Sequence, residues 1–273
     1  MLSDFWEVFV MDSVENLINY LEKDLAQHLD KVVVEDIRIG LEYAGVVLST
    51  GEAGLAHILI DYSSEHKVLE ESVELQGSSA SEIMKLATSG NLIIAALGIA
   101  TINAVSQIAF NKKPHLYPFT QVDVLDLVQS GDKILMVGYM APVIPKLMEK
   151  TSDITVIEKR NIQNPMVRVV KEDQLKKLSS DADLAIITGS TLVNRSVDSI
   201  LNYCKGKREL VLIGPTASFV PQPLFEKGAT AVMGVKIYNP QKMLEIVSQA
   251  GGTRELLKTC AKKTAILKKD IKI

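Results

Sequence analysis

The sequence has little of what most readily betrays a chemistry. Only two of its 273 residues are cysteine, Cys204 and Cys260, and they stand far apart with no C-x-x-C spacing. That pattern argues against a local zinc site or a disulfide framework, and a reducing cytoplasm is the expected compartment. Histidine is also sparse: His28, His57, His66 and His115 are scattered along the chain. With no serine in a G-x-S-x-G elbow, nothing resembles a nucleophilic triad. The turn Gly138-Tyr139-Met140-Ala141-Pro142 carries a single glycine, so it is not a G-x-G-x-x-G phosphate loop and ordinary NAD binding is disfavoured. A net charge of −3 creates no field that would draw nucleic acid, and none is expected as a partner. Asp4 and Glu7 near the start replace the basic opening and apolar core of a signal peptide. The longest apolar run, residues 91–110, follows Gly90 and is interrupted by Thr101, Asn103, Ser106 and Gln107. It is read as a buried helix rather than a membrane span.

What is present is hydrophobic matter, 47% of residues, enough for a sizeable core in a chain whose length favours two domains. In the second half, four short β-branched apolar stretches, residues 134–137, 154–157, 184–187 and 210–213, each run into a turn of small or polar residues. Helical or crossover segments follow them, and the pattern continues through 231–233 and a helix over 240–250. Repeated βαβ units predict a parallel sheet covered on both faces. Ligands of such sheets sit beyond the carboxyl ends of the strands, where the four turns gather.

The first half is organised differently. Val14, Leu17, Ile18, Leu21 and Leu25 mark one face of a helix over residues 11–29. Strands are expected at 32–39, 44–49 and 56–60, broken by Gly40 and by the turn Gly51-Glu52-Ala53-Gly54, and helices at 81–87 and 91–110. Strands together and then helices read as α+β. The expected division is an α+β domain over 1–111, a linker over 112–121 containing Lys112, Lys113, Pro114 and Pro118, and an α/β domain with a mainly parallel sheet over 122–273. The lysine-rich end, with Lys258, Lys262, Lys263, Lys268, Lys269 and Lys272, reads as a solvated or frayed tail as well as a partner surface.

Candidate ligand contacts lie on the turns. Thr188, Gly189, Ser190 and Thr191 combine small residues with hydroxyls before a helix over 192–203, with Asn194 one turn on. That arrangement serves an anion or carboxylate, and it equally serves as a plain helix cap. Gly214, Pro215, Thr216, Ala217 and Ser218 repeat it at the next strand end. Gly138 and Tyr139 form the first turn. Glu158 stands where adenosyl-binding folds place a carboxylate for ribose hydroxyls, although a strand-terminal Glu is often merely solvated. Arg160 and Arg168 are read as surface charges, and His57 and His115 as surface or core residues rather than catalysts. Glu35, Arg38 and Glu52 either face the second domain across a cleft or are exposed. Asn103, on an otherwise apolar helix, is expected to be buried and hydrogen-bonded near the domain boundary, because an unpaired buried amide costs about 1–3 kcal/mol.

Taken in order, the run 95–104 with Asn103, Val137-Gly138-Tyr139 with Pro142, Glu158-Lys159-Arg160, residues 187–194, and residues 213–218 with Pro221 and Leu224-Phe225 resemble a family of uncharacterised proteins described as a heavy-metal chelation domain. The resemblance spans nearly the whole chain apart from the lysine-rich end. It implies an enolase-N-terminal-like domain packed on a Rossmann-like domain, with a ligand site in the cleft between them.

Two functions follow as expectations. One is a protein holding a metal ion or metal complex through oxygen ligands and hydroxyl-rich turns. The other is an enzyme acting on a small anionic metabolite or using a nucleoside or adenosyl-type cofactor, with Glu158 as the ribose contact. The expected partner is a small molecule or metal, no membrane is expected, and a homo-oligomer stays open.

Overall fold

Asp12 caps the first described helix by a reciprocal box: its carboxylate accepts from the Glu15 N–H at 2.9 Å and the Glu15 carboxylate accepts from the Asp12 N–H at 3.3 Å. A computed structural model of the chain describes residues 12–60 and 75–271. Met11 and His66, which entered the expectations above, lie outside the described residues, as does Lys272.

Helix α1 (Ser13–Asp24) buries Val14, Leu17, Ile18 and Leu21, each worth roughly 1.5–3 kcal/mol when removed from water. It stops earlier than its apolar spacing suggests, because Leu25 leaves helical geometry before the short α2 (Ala26–Leu29). Strands β1 (Val34–Ile39), β2 (Tyr43–Leu48) and β3 (Ala53–His57) form an antiparallel sheet in that order. Helices α3 (Ala80–Lys85) and α4 (Leu92–Lys112) follow. The turn before β3 is shorter than Gly54 suggests, since Gly54 lies within the strand. The reason is close approach: a Cβ there would stand 2.1 Å from Ala100 O and 2.4 Å from Ala104 N of α4.

The second half builds β4 (Ile134–Val137), α5 (Ile144–Leu147), β5 (Ile154–Ile157), β6 (Arg168–Val170), α6 (Leu175–Asp181), β7 (Leu184–Thr188), α7 (Val197–Tyr203), β8 (Glu209–Ile213), α8 (Gln222–Glu226), β9 (Ala231–Ile237), α9 (Pro240–Ser248), α10 (Thr253–Thr259) and β10 (Ala261–Leu267). The sheet order is β10-β9-β8-β7-β4-β5-β6, parallel except for β10. The fold is thus α+β, with a small antiparallel sheet followed by a larger, mostly parallel one. Two strands went unread in the sequence. β6 has three residues, and β10 carries Lys262 and Lys263 on its exposed positions. The lysine-rich end is therefore paired with β9 over Ala261 to Leu267 rather than frayed.

The two-residue period of the strands sorts the large sheet into two cores. Leu135, Val137, Ala185, Ile187, Leu210 and Leu212 share one continuous cluster with α1, α4 and the small sheet, whereas Ile134, Met136, Leu184, Ile186 and Val211 pack with Val124, Ile144 and Leu147 on the other face. Helix α9 covers the remaining face of the small sheet, with Met243, Leu244 and Val247 against Tyr43, Val47 and Leu55. The two halves are consequently fused by apolar packing. The segment expected as a linker is packed too: Tyr117 is 1% exposed against Phe110, and Lys113 pairs with Asp24 at 2.6 Å. Helix α4 is long and apolar enough to span a membrane, and it is mostly buried inside the protein.

Candidate functional site

The polar residues of α4 explain how the junction is held. Asn103, 0% exposed, donates through Nδ2 to Leu55 O of β3 at 2.7 Å and to Thr216 O at 3.0 Å. One turn on, Gln107 Nε2 donates to Ser218 O at 3.2 Å, and Ser106 Oγ accepts from the Val220 N–H at 3.1 Å. Residues 216, 218 and 220 of the loop after β8 thus present every second backbone group to α4. The helix binds that loop much as a neighbouring strand would, which fixes it relative to the carboxyl edge of the large sheet.

That edge gathers the predicted turns. In the parallel register Val137 stands beside Ile157 and Ile187, and Thr188 beside Ile213, so Gly138, Glu158, Thr188 and Gly214 emerge on one side. The strand order reverses between β4 and β7, the place where such sheets open a crevice. Gly138 and Thr188 meet there. Gly138 has φ +90° and a Cβ on it would lie 2.4 Å from Thr188 Cγ2; Gly214 has φ +113° with open space around it. Both positions require a glycine-like backbone, and their N–H groups donate within the protein, Gly138 to Ile157 O and Gly214 to Met233 O, each at 2.9 Å.

The hydroxyls divide into two groups. Thr188, not Ser190 or Thr191, caps the turn after β7: its Oγ1 accepts from the Ser190 N–H at 3.4 Å and stands 3.2 Å from Ser190 Oγ. The segment that follows is a 3-10 turn, Gly189–Leu192, and α7 begins only at Val197. Thr191 is buried and donates to Thr188 O at 2.8 Å. Asn194 Oδ1 accepts from Ser196 N at 3.2 Å and Ser196 Oγ at 2.7 Å. After β8, Thr216 and Ser218 are buried and do not start a helix, since α8 begins at Gln222. Thr216 Oγ1 accepts from the His57 N–H at 2.9 Å. Ser218 Oγ donates to Pro215 O at 2.7 Å and accepts from Val235 N at 2.9 Å.

Glu158 is committed to the protein. Its Oε1 accepts from Arg160 N at 2.9 Å and Arg160 Nε at 3.2 Å, and its Oε2 from Tyr139 N at 2.9 Å and Arg160 Nη2 at 3.1 Å. Burial alone would raise its pKa; the bonds from the Arg160 side chain, then those from the Arg160 and Tyr139 backbone, outweigh burial and hold the carboxyl below its ordinary value. A ribose hydroxyl would have to displace one of these donors. Arg160 itself presents a side chain 63% exposed at this edge. Tyr139 OH accepts from Asn164 at 2.7 Å.

His57, read in the sequence as a surface or core residue, ends β3, where its N–H meets Thr216 and its ring stands between Tyr43 and Glu42. Its only sequence signal is a polar ring closing an apolar strand. Glu35 and Arg38 lie on the edge strand β1, both exposed, and Arg38 pairs with Asp36. Glu52 accepts from Asn111 at 3.1 Å at the far end of α4, and Arg168 is exposed on β6. The structure therefore assembles Gly138, Tyr139, Glu158, Thr188, Ser190 and Gly214 and leaves Glu35 and Arg38 apart. Two hollows of about 360 and 410 Å³ lie at the opposite, amino-terminal edge, where Arg208 pairs with Asp132.

The model of a family described as "Putative heavy-metal chelation" matches residues 122–266, more than half of the chain. The chain belongs to this family, DUF364. A second model of the same description matches residues 22–106. An uncharacterized protein of Methanocaldococcus jannaschii is 28% identical over 253 residues, 91% of this chain and 92% of that protein. A DUF364 protein of unknown function from Pyrococcus horikoshii superimposes with a TM-score of 0.78 at 24% identity, over 93% of this chain and 99% of its own. Another, from Desulfitobacterium hafniense, gives 0.76 at 18% over the same shares. At such identity these two likenesses speak for the fold alone.

The donor set of this DUF364 chain does not fit a heavy-metal ion bound directly by protein side chains. Among the described residues no three His, Cys, Asp or Glu side chains stand together. Both thiols, the soft ligands such an ion prefers, are buried in separate apolar clusters, and burial pushes Cys204 up to about 11 and raises Cys260 as well. Glu158 is already saturated by donors.

Proposed function

We propose that this protein binds a small organic chelator as its metal complex, the metal's ligands coming from the chelator and the protein recognising the organic part. The observation that carries the reading is the set of polar side chains gathered at the carboxyl edge, the Thr188 and Ser190 hydroxyls and the exposed Arg160 guanidinium paired with Glu158, beside the open space at Gly214. These groups recognise a polar organic ligand, and they lack the thiolates and clustered imidazoles that bare heavy metals take. Heavy-metal chelation, named for the family, enters in this form. Gly138, Tyr139, Thr188, Gly189, Ser190, Gly214 and Pro215 are the proposed contacts, while Thr191, Asn194, Thr216, Ser218 and Asn103 hold the frame.

Counted from β4 as first, the order β6-β5-β4-β7-β8-β9 reads 3-2-1-4-5-6, which supports the Rossmann-like description of the second unit. The enolase-N-terminal-like description of the first, the division at 1–111 and 122–273, and a cytoplasmic setting stay with the proposal.

Thermal unfolding tests it, because a ligand that binds only the folded state raises the melting temperature. The protein is melted with ferric, nickel or zinc ions alone, with citrate alone, and with the corresponding metal citrates. The proposal expects the complex to stabilise more than either component. It fails if a bare metal ion produces the whole shift.

A further inference from the structure

We propose that the hollow where β8, β9 and β10 meet at the amino-terminal edge of the large sheet is a second binding site, taking an organic monoanion with an apolar body, such as an aryl carboxylate. It lies across the sheet from the carboxyl-edge site and does not rest on the reading given to that site. Glu209 opens β8, Thr230 precedes β9 and Leu267 ends the antiparallel β10, so three strand ends come together there. With Leu127, Arg208, Lys268 and Lys269 they line a cavity of about 360 Å³, at the lower end of the roughly 300–1,000 Å³ of small-molecule clefts.

The walls are fixed before any ligand arrives. The Thr230 hydroxyl accepts from the Leu210 N–H at 2.9 Å and donates to Glu209 Oε2 at 2.5 Å, Thr230 O accepts from the Lys268 N–H at 2.8 Å, and the Arg208 N–H donates to Asp183 O at 3.1 Å. A hollow already formed loses little to ordering when it is filled. Its floor is apolar: Leu127 and Leu267 are buried and belong to the core cluster on one face of the sheet. An apolar group seated between them extends that core.

Charge decides what else the ligand carries. Arg208, Lys268 and Lys269 line this hollow against the single carboxylate of Glu209, which already takes the Thr230 hydroxyl. Lys268 Nζ donates to a neutral carbonyl, Phe225 O, at 2.6 Å, and neither Lys268 nor Lys269 pairs with a carboxylate among the described residues. Arg208 meets Asp132 through Nη2, and its side chain is 34% exposed, which leaves further N–H donors of the guanidinium for an anion. The neighbouring hollow of about 410 Å³ shares Arg208 but sets Lys207 and Arg208 against Asp132 and Asp183, so it offers an anion no net attraction.

The probes are naphthoate, its neutral amide naphthamide, and citrate, which is anionic without an apolar body. Each is titrated into the isotope-labelled full chain and followed by amide chemical shifts. Naphthoate should move the amides of Leu127, Glu209, Thr230 and Lys268 in one saturable process. Naphthamide should bind about tenfold more weakly, as the loss of hydrogen bonds to a charged group implies, and citrate should leave these amides in place. Lys269→Glu, at an exposed position, should weaken naphthoate several-fold. The comparison of acid with amide on the wild-type chain stands whether or not the variant folds. Naphthoate shifts that are absent or centred elsewhere, equal affinity for acid and amide, citrate moving the same amides, or undiminished naphthoate binding by Lys269→Glu overturns the proposal.

Discussion

Replacing Asn103 probes the seam that positions the candidate site. The side chain is fully buried, and its two N–H groups serve Leu55 O of β3 and Thr216 O of the β8 loop at 2.7 and 3.0 Å, while its own Oδ1 has no partner among the described residues. Asn103→Ala strips both carbonyls of these donors. A buried polar group left unsatisfied costs about 1–3 kcal/mol, and a carbonyl with a second lone pair belongs at the low end of that range. The small cavity adds to the loss, and removal of the unpaired Oδ1 offsets about 1 kcal/mol of it. The net expectation is about 2–3 kcal/mol, a fall in Tm of about 5–10 °C at the roughly 2–4 °C per kcal/mol usual for larger domains. Asn103→Asp keeps the shape, turns the donor into an acceptor facing two carbonyls and buries a charge, so it should cost more, about 3–5 kcal/mol. Urea unfolding followed by circular dichroism measures both, as a lower midpoint at unchanged m. Asp tolerated as well as Asn, or Ala within about 0.5 kcal/mol of wild type, would refute the assignment of this residue as the bridge.

Gly54→Ala should destabilise by about 3 kcal/mol or more, visible as loss of soluble folded protein, because the new methyl would meet Ala100 O and Ala104 N at 2.1 and 2.4 Å; normal yield and Tm would contradict the packing of α4 on β3. Ser218→Ala should lower stability by about 1–3 kcal/mol while the folded fraction binds metal citrate as wild type does, since the hydroxyl already serves Pro215 O and Val235 N; weakened affinity by titration calorimetry would place it in the site. Glu158, with its folded pKa below the ordinary value, contributes stability that is present above the unfolded carboxylate pKa and lost as pH falls through the folded one. Glu158→Gln should therefore flatten the dependence of Tm on pH between about 5 and about 3, and an unchanged acid limb would disprove the pairing. Cys204 and Cys260, both buried, should resist a thiol reagent in the native protein and react fully in denaturant; a fast-reacting native thiol would contradict their burial.

The sequence announced what depends on local periodicity. The stretches 134–137 and 154–157 coincide with β4 and β5, because a strand buried on both faces needs an unbroken apolar run. What depends on a distant partner was hidden. Gly54 looks like a turn residue until α4 lies against it, and β10 looks like a basic tail until β9 pairs with it. At the site, the strand ends and Gly138, Thr188 and Gly214 were legible from position alone. The duties of the hydroxyls were not: Thr216 and Ser218 resemble helix starters, yet their bonds go to His57 and Val235, residues far away in sequence. His57 was set aside because nothing in its own neighbourhood reveals Thr216, which its N–H reaches only once the small sheet packs on the large one.

The central claim is that a metal complex binds at the carboxyl edge of the large sheet, and paramagnetic broadening in amide NMR tests it most directly. Added as manganese citrate, the ion should broaden the amides of Gly138, Tyr139, Arg160, Ser190 and Gly214 and leave those of Arg208, Glu209 and Thr230, at the opposite edge beside the hollows, sharp. Broadening centred on Arg208 and Thr230, or the same pattern from manganese ion without citrate, would contradict it.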